Sequence, residues 1–182
     1  CSLVPGGCSV GRRSMRDEEE AQDTCSVTEE LYGKHGQPIA DLFPHTTVMF
    51  GDISGFTAWS SVREPSQVFI LLETVYRAFD HIARRRRVFK VETIGDCYVA
   101  VTGLPDPRKD HAVVMARFAR DALNKMNDLT KRLEVSLGPD TGDLSMRFGL
   151  HSGPVTAGVL RGDKSRFQLF GDTVNTAARM ER

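Results

Sequence analysis

The sequence lacks an excess of positive charge, a long apolar run and paired cysteines, and each absence argues against a class of protein. Lysine and arginine balance aspartate and glutamate at 24 each, whereas nucleic-acid binders usually carry a basic excess. The longest apolar run, VFILL at residues 68–72, is far shorter than the roughly 20 residues that span a bilayer. The four cysteines form no CxxC pair, the usual spacing of a zinc site. We therefore expect no nucleic-acid partner, and free thiols in a reducing compartment.

A Walker A motif and internal repeats are also absent from the sequence. The segment GVLRGDKS at residues 158–165 is similar to a phosphate-binding loop, but a Walker A motif requires glycine where this chain has Asp163. No internal repeat at solenoid spacing is present.

Residues 1–40 are rich in glycine, serine, arginine and acidic residues, and we interpret them as a flexible polar leader. Residues 41–182 are interpreted as one domain.

Hydrophobic periodicity predicts the order β-α-β-β-α-β in this domain. Apolar residues on one stripe indicate helices over 65–85 and 111–133, and short β-branched runs indicate strands. The strands are predicted at residues 46–50, 88–94, 97–103, 144–153 and 154–160, with a loop at 138–143, a long connection over 161–171 and a third helix from 172. This order is typical of an α+β, ferredoxin-like fold, in which helices cover one face of an antiparallel sheet.

Two acidic residues lie where this topology would bring them together. Asp52 follows the first predicted strand, and Asp96 lies at the tip of a predicted hairpin. Because the two strands are central neighbours in this fold, both carboxylates can meet at one edge of the sheet. Such close carboxylates repel each other unless a cation lies between them, and oxygen ligands suit Mg²⁺ or Mn²⁺. Two such ions can hold a triphosphate and activate a hydroxyl group, although each acid alone also suits a helix cap or a turn.

Four segments carry a resemblance to a known family. They are VMFGDISGFTAWS, FKVETIGDCYVAVTGLP, RFGLHSGPVTAGVL and FQLFGDTVNTAARME, in this order along residues 48–181. Together they resemble the catalytic domain of class III purine nucleotide cyclases, and of guanylyl cyclases most closely. The resemblance implies a metal-dependent enzyme that forms a 3′,5′-cyclic nucleotide and pyrophosphate, with cyclic GMP from GTP favoured. It also implies a head-to-tail homodimer or heterodimer whose two chains share each active site.

The resemblance also implies roles for individual residues. Asp52 and Asp96 would bind two Mg²⁺ or Mn²⁺ ions together with the backbone carbonyl of Ile53. Asn175 would orient the ribose and Arg179 would stabilise the pentavalent phosphate; residues four apart share one face of a helix, and the planar guanidinium offers several donors to phosphate. The remaining nucleotide-binding residues would be Ser54, Gly55, Phe56, Thr57, Gly95 and Arg147.

Two positions would select the purine base. Glu92 matches the glutamate of guanylyl cyclases, where adenylyl cyclases have lysine. Its carboxylate can accept hydrogen bonds from N1–H and N2–H₂ of guanine, whereas adenine would leave it partly unpaired at a cost of about 1–3 kcal/mol. Gln168 matches neither the cysteine of guanylyl cyclases nor the aspartate of adenylyl cyclases, and its amide can donate to guanine or accept from adenine. The sequence therefore favours GTP and leaves ATP as the alternative.

Two other interpretations stay open at this point. A catalytically silent, nucleotide-binding regulatory domain of the same family would usually lack a metal aspartate or the Asn/Arg pair, and this chain keeps all four. Another two-metal enzyme on a ferredoxin-like sheet, such as a diguanylate cyclase, would have a GGDEF-like hairpin where this chain has TIGDCY. Family members normally continue past the position of Arg182, so we expect a domain truncated at its C-terminus. Since such cyclases often follow receptor or transmembrane segments, we expect a cytoplasmic-side location and leave membrane attachment of the parent protein open.

Overall fold

Five strands and four helices follow one another along the part of the chain that the structure, a computed structural model, describes. That part comprises residues 39–161 and 165–182, so the predicted leader lies almost entirely outside it. The elements are β1 (Ile39–Ser54), α1 (Phe56–Ser61), α2 (Pro65–Arg86), β2 (Phe89–Ile94), β3 (Cys97–Thr102), α3 (His111–Leu137), β4 (Ser145–Leu160), β5 (Arg166–Phe170) and α4 (Asp172–Glu181), with a 3₁₀ turn at Pro139–Asp143.

The strands form one antiparallel sheet in the order β2-β3-β1-β4-β5. Its first four strands have the order of the ferredoxin-like fold, which confirms the predicted fold class. Strand β1 lies between β3 and β4, with Gly51 opposite Tyr98 on one side and Asp52 opposite Arg147 on the other. This register sets which side chains meet at the end of β1.

Helices α2 and α3 pack against one face of the sheet. Alternate residues of a strand point to opposite faces, so Met49 and Ile53 of β1 and Tyr98 of β3 face these helices. Tyr98 is fully buried and its ring meets the rings of Phe79 and Phe118. The largest fully buried helical side chains of this core are Leu71, Val75, Phe79, Met115, Phe118 and Met126.

Helix α4 packs against the opposite face of the sheet. Its Ala177 belongs to a second, smaller core with Val48, Val101 and Val155. The helix lies directly on Gly149 of β4, where an added Cβ would come within 2.3 Å of both the Ala177 carbonyl oxygen and the Glu181 nitrogen. The prediction of helices on one face therefore holds for the two long helices, while α4 covers the other face.

Two predicted elements near the C-terminus differ in the structure. The predicted break between residues 153 and 154 is absent, because β4 runs unbroken through Pro154. Proline cannot donate to a strand ladder, but here it lies opposite an irregularity of β1 between Phe43 and Thr46, where the register shifts. The predicted connection over 161–171 contains strand β5, which pairs with Thr156–Leu160.

Strand β1 is longer than predicted, and this changes the setting of Asp52. The sequence indicated a strand over residues 46–50 that ended before Asp52, whereas β1 runs from Ile39 to Ser54. Asp52 is therefore a residue within a strand, paired on one side with β4. Its alternation with Val48 and Phe50 directs its side chain to the face that α4 covers.

Helix α2 begins and ends as its sequence predicts. Pro65 occupies the first turn, and the Gln67 side-chain oxygen accepts a hydrogen bond from the Glu64 backbone at 3.3 Å. Three arginines lie in the last turn, where cations suit the helix dipole, and Arg87 ends the helix with a φ of 56°. Within residues 39–161 and 165–182, no helix combines the length and apolar character needed to cross a membrane.

Candidate functional site

The pairing of β1 with β3 brings the carboxylates of Asp52 and Asp96 together. Asp96 lies in the tight turn between β2 and β3, after Gly95, whose φ of 61° favours glycine. Partial burial raises the pKa of the Asp96 carboxyl group, and the neighbouring Asp52 raises it further, both as a hydrogen-bond partner and as a like charge. The sequence predicted this convergence, and the structure shows the two acids within interaction distance.

Arg147 of β4 neutralises part of this negative charge. Its Nη2 atom donates to Asp52 Oδ2 at 2.8 Å and lies 3.3 Å from Glu181 Oε1 at the end of α4. The hydrogen bond to Asp52 and the charge of Glu181 raise the pKa of the Arg147 guanidinium. The sequence predicted a phosphate contact for Arg147; the structure shows the guanidinium held between two carboxylates, with half of its side chain exposed.

Three residues that sequence reasoning missed adjoin the acidic pair. Glu181 gave no signal beyond its position in the third helix. Cys97 follows Asp96 and is half-buried; burial, together with the charges of Asp52 and Glu181, raises the pKa of its thiol to about 11. Tyr76 of α2 donates a hydrogen bond from its hydroxyl to the Gly95 carbonyl at 3.1 Å, so a core helix holds the turn that carries Asp96.

The donors at this point suit a hard divalent cation. The Asp52 and Asp96 carboxylates and the predicted Ile53 carbonyl offer oxygen atoms, which Mg²⁺ and Mn²⁺ prefer. Burial is the main cause of the raised pKa of Asp96, and a cation between the two acids would offset both this cost and the charge of Asp52. Within the described ranges, no group of three or more His, Cys, Asp or Glu side chains is arranged to hold a metal. The fit therefore depends on two carboxylates and backbone oxygen.

The predicted phosphate-binding turn follows Asp52 directly. Ser54 ends β1, and Gly55 has a φ of 86° at the start of α1, a conformation that glycine adopts without strain. Phe56 and Thr57 then open the helix, and the Phe56 ring packs on Trp59 with centroids 6.3 Å apart. The turn is therefore anchored to the core while its backbone stays beside the acidic pair.

Asn175 and Arg179 lie apart from the acidic pair, on the exposed stripe of α4. Thr173 and Ala177 are buried on the other side of the helix. Arg179 donates to Thr176 at 3.3 Å and lies 3.8 Å from Asp172, so both of these contacts are within its own helix. The structure thus brings Asp52, Asp96 and Arg147 together and leaves Asn175 and Arg179 facing solvent.

Glu92 and Gln168 lie on strands at opposite ends of the sheet order. Glu92 pairs with Val99 across a bulge in β2 and shares the face of the smaller core; among the residues described, no hydrogen bond or ion pair reaches its carboxylate. Gln168 pairs with Gly158 and is half-buried. One side-chain contact nevertheless links the two edge strands, since the rings of Phe89 and Phe167 lie 5.0 Å apart.

Comparisons with known proteins identify the family to which this sequence and fold are similar. The family model described as adenylate and guanylate cyclase catalytic domain matches residues 40–182. The chain is 44% identical over 142 residues, 78% of its length, to the receptor-type guanylate cyclase gcy-28 of Caenorhabditis elegans, of which it spans 11%. The guanylate cyclase domain of RhGC from Catenaria anguillulae, solved in complex with GTP, is 42% identical with a TM-score of 0.66, covering 78% of this chain and 74% of that one.

A second solved structure concerns base selection. It is the catalytic core of a rhodopsin-guanylyl cyclase with converted specificity in complex with ATPαS. It is 41% identical to this chain with a TM-score of 0.66, and the match covers 78% of this chain and 73% of that one. A scaffold close to this one has therefore been crystallised with an adenine nucleotide.

Alkylation of Cys97 tests the electrostatics of this cluster. A thiol with a pKa of about 11 should react with iodoacetamide at pH 8 roughly a hundredfold more slowly than an ordinary thiol, because the thiolate is the nucleophile. Asp52→Asn should accelerate the reaction, since it removes a charge that raises the pKa. Peptide mass spectrometry separates Cys97 from the other cysteines, and Asp128→Asn on the exposed side of α3 is the control. Equal rates in all three proteins would contradict this description.

Proposed function

The chain belongs to the family of adenylate and guanylate cyclase catalytic domains, and from that premise we propose that it converts GTP to 3′,5′-cyclic GMP and pyrophosphate. The observation that carries the proposal is the convergence of the Asp52 and Asp96 carboxylates at the end of β1, beside Arg147. Cyclisation requires a triphosphate to be held and a ribose hydroxyl to lose its proton. Oxygen ligands for divalent cations next to a half-exposed guanidinium suit both tasks.

The residues of this chain have distinct tasks in the proposed reaction. Asp52, Asp96 and the Ile53 carbonyl would hold Mg²⁺ or Mn²⁺, which when bound offset triphosphate charge and acidify the ribose 3′-hydroxyl. The backbone of residues 54–57 and of Gly95 faces the phosphates. Arg147 exchanges its contact with Asp52 for a phosphate oxygen, for which its planar fork provides several donors.

We further propose that each active site is shared by two chains in a head-to-tail dimer. Asn175 and Arg179 lie on an exposed stripe of α4, and the partners of Arg179 described above belong to its own helix. Such side chains are free to enter the site of a second copy, where Asn175 orients the ribose and Arg179 meets the charge that develops on the α-phosphate. The second copy supplies its own Asn175 and Arg179 to the site of the first copy, so two composite sites form.

Selection of guanine is assigned to Glu92, with Gln168 as the weaker partner. The Glu92 carboxylate accepts hydrogen bonds and cannot donate them, so it suits the N1–H and N2–H₂ edge of guanine. Gln168 can present either its amide nitrogen or its oxygen, and it supports ATP as the alternative substrate. The related core crystallised with ATPαS has converted specificity, which is consistent with a small number of side chains deciding the base.

The names of the relatives support the proposal of a signalling role on the cytoplasmic side. Several of them are named receptors or receptor-type guanylate cyclases. This chain spans 11% of the length of the first of these proteins and 14% of the second, so it corresponds to one domain of such a protein. We propose that the domain produces a cyclic nucleotide in the cytoplasm in response to signals received by other parts of its protein.

The first test is the identity of the product. We expect the purified protein that carries this domain to form cyclic GMP from GTP with Mn²⁺ or Mg²⁺, measured by chromatography in parallel with ATP. Asp96→Asn should lower kcat at least about 100-fold, because it removes a proposed metal ligand, while Asp106→Asn in an exposed loop should have little effect. Cyclic AMP as sole product would overturn the choice of base, and unchanged turnover in Asp96→Asn would overturn the metal role.

The second test concerns Glu92. Glu92→Gln should lower kcat/KM for GTP about 10- to 100-fold, since a charged acceptor of two hydrogen bonds is lost, while kcat/KM for ATP should stay the same or rise. The ratio of the two values is the quantity to measure. Glu73→Gln, the same substitution at an exposed position of α2, serves as the control. A parallel fall of both values in Glu92→Gln would show that this residue does not select the base.

The third test is complementation between two inactive variants. Asp52→Asn removes the metal side of the site, and Asn175→Ala removes the helix side. Each alone should be inactive, whereas an equal mixture that exchanges subunits should recover about a quarter of the activity, because half of the dimers are mixed and each has one intact site of two. A mixture as inactive as its components, with exchange verified by differently tagged subunits, would contradict shared sites.

A further inference from the structure

Glu181 lies beside the acidic pair, and the proposed reaction gives this residue no role. It is the last residue of α4, and its side chain is only 12% exposed. The helix backbone at this residue lies against Gly149, where even an added Cβ would clash with the Glu181 nitrogen. The helix backbone therefore has a defined position on the strand, and the largely buried side chain places its carboxylate beside Arg147.

The Glu181 carboxylate keeps an unused acceptor. Its Oε1 atom is buried and lies 3.3 Å from Arg147 Nη2, yet within the described residues no hydrogen bond reaches it. The same guanidinium nitrogen instead donates to Asp52 at 2.8 Å. Arg147 thus lies between two carboxylates and donates a hydrogen bond to only one of them.

This arrangement is costly for stability alone. A buried acceptor without a hydrogen bond is uncommon in folded proteins, and here Asp52 and Glu181 both lie within ion-pair distance of the same arginine nitrogen. A small rotation of the guanidinium would give Glu181 the hydrogen bond it lacks. Such a rotation becomes favourable once a cation binds Asp52 and displaces Arg147 from it.

We infer that Glu181 is a positioning residue for Arg147: its carboxylate receives the guanidinium when a divalent cation takes Asp52, and holds it beside the site. The inference depends on the proposed function, because it needs Asp52 to be a metal ligand. Without Glu181, the cation has to displace an arginine whose remaining acidic partner is Asp52. Metal binding is then weaker, even before any nucleotide is present.

Mn²⁺ binding to the nucleotide-free protein, followed by electron paramagnetic resonance, tests this without requiring turnover. Glu181→Gln should weaken Mn²⁺ binding about tenfold, as is usual for residues that orient metal ligands. Asp128→Asn, which removes one negative charge from the exposed side of α3, should leave binding unchanged. Glu181→Asp keeps the charge but shortens the side chain, so it should also weaken Mn²⁺ binding, because the carboxylate would no longer reach Arg147.

A double-mutant cycle shows whether Glu181 acts through Arg147. Arg147→Gln should tighten Mn²⁺ binding, because Asp52 loses a competing cation, and adding Glu181→Gln should then change the affinity less than about twofold. Additive effects, or wild-type affinity in Glu181→Asp, would identify Glu181 as a general charge and overturn the inference. The same affinity in Glu181→Gln as in Asp128→Asn would overturn it as well.

The proposed function fails in a different way in the same experiment. If the unsubstituted protein does not bind Mn²⁺, or if Asp52→Asn binds it equally well, the metal role of Asp52 is wrong and the role of Glu181 falls with it. If Asp52→Asn abolishes binding while Glu181→Gln does not weaken it, only the inference about Glu181 is wrong. Thermal unfolding of each variant confirms that the compared proteins are folded.

Discussion

Repulsion between two carboxylates at the end of β1 is the constraint around which this domain is arranged. The antiparallel pairing of β1 with β3 sets Asp52 beside the turn that holds Asp96, and nothing in that pairing relaxes the like charge. Strand β4 places the positive charge of Arg147 beside Asp52, and helix α2 of the core contacts the turn that carries Asp96. The Tyr76 hydroxyl of α2 donates a hydrogen bond to the Gly95 carbonyl, which favours the turn conformation that keeps Asp96 near Asp52. The site is therefore built in a form that binding of a cation would stabilise.

Both faces of helix α4 carry residues of the proposed site. Its buried face rests on Gly149 and delivers Glu181 to Arg147, whereas its exposed face carries Asn175 and Arg179 away from the site of its own chain. In a head-to-tail dimer the first face would act on one composite site and the second face on the other. A displacement of α4 would then affect both sites, because one rigid helix links them.

The sequence was sufficient to predict the features that follow from strand order. It was insufficient to predict those that depend on contacts between segments distant in the chain. Strand order alone brings Asp52 and Asp96 together, so their convergence could be predicted. The unbroken strand through Pro154 could not, because the irregularity that tolerates proline lies in β1, more than a hundred residues earlier. Glu181 was missed for a similar reason: the periodicity of α4 shows which residues are apolar, but it does not show which face of the sheet the helix covers.

The side-chain contact between the two edge strands also bears on how the base would be selected. The contact between Phe89 and Phe167 joins β2 to β5, the two strands that carry Glu92 and Gln168. Glu92 lies in a cross-strand row with Val99 and Phe50, which limits its movement, and an ionised carboxylate can only accept hydrogen bonds. Gln168 can exchange donor for acceptor by rotating its amide, so it accommodates either purine. If these two residues contact the base as proposed, discrimination between guanine and adenine would come from Glu92, because an amide that suits both bases would raise the affinity for each by a similar amount.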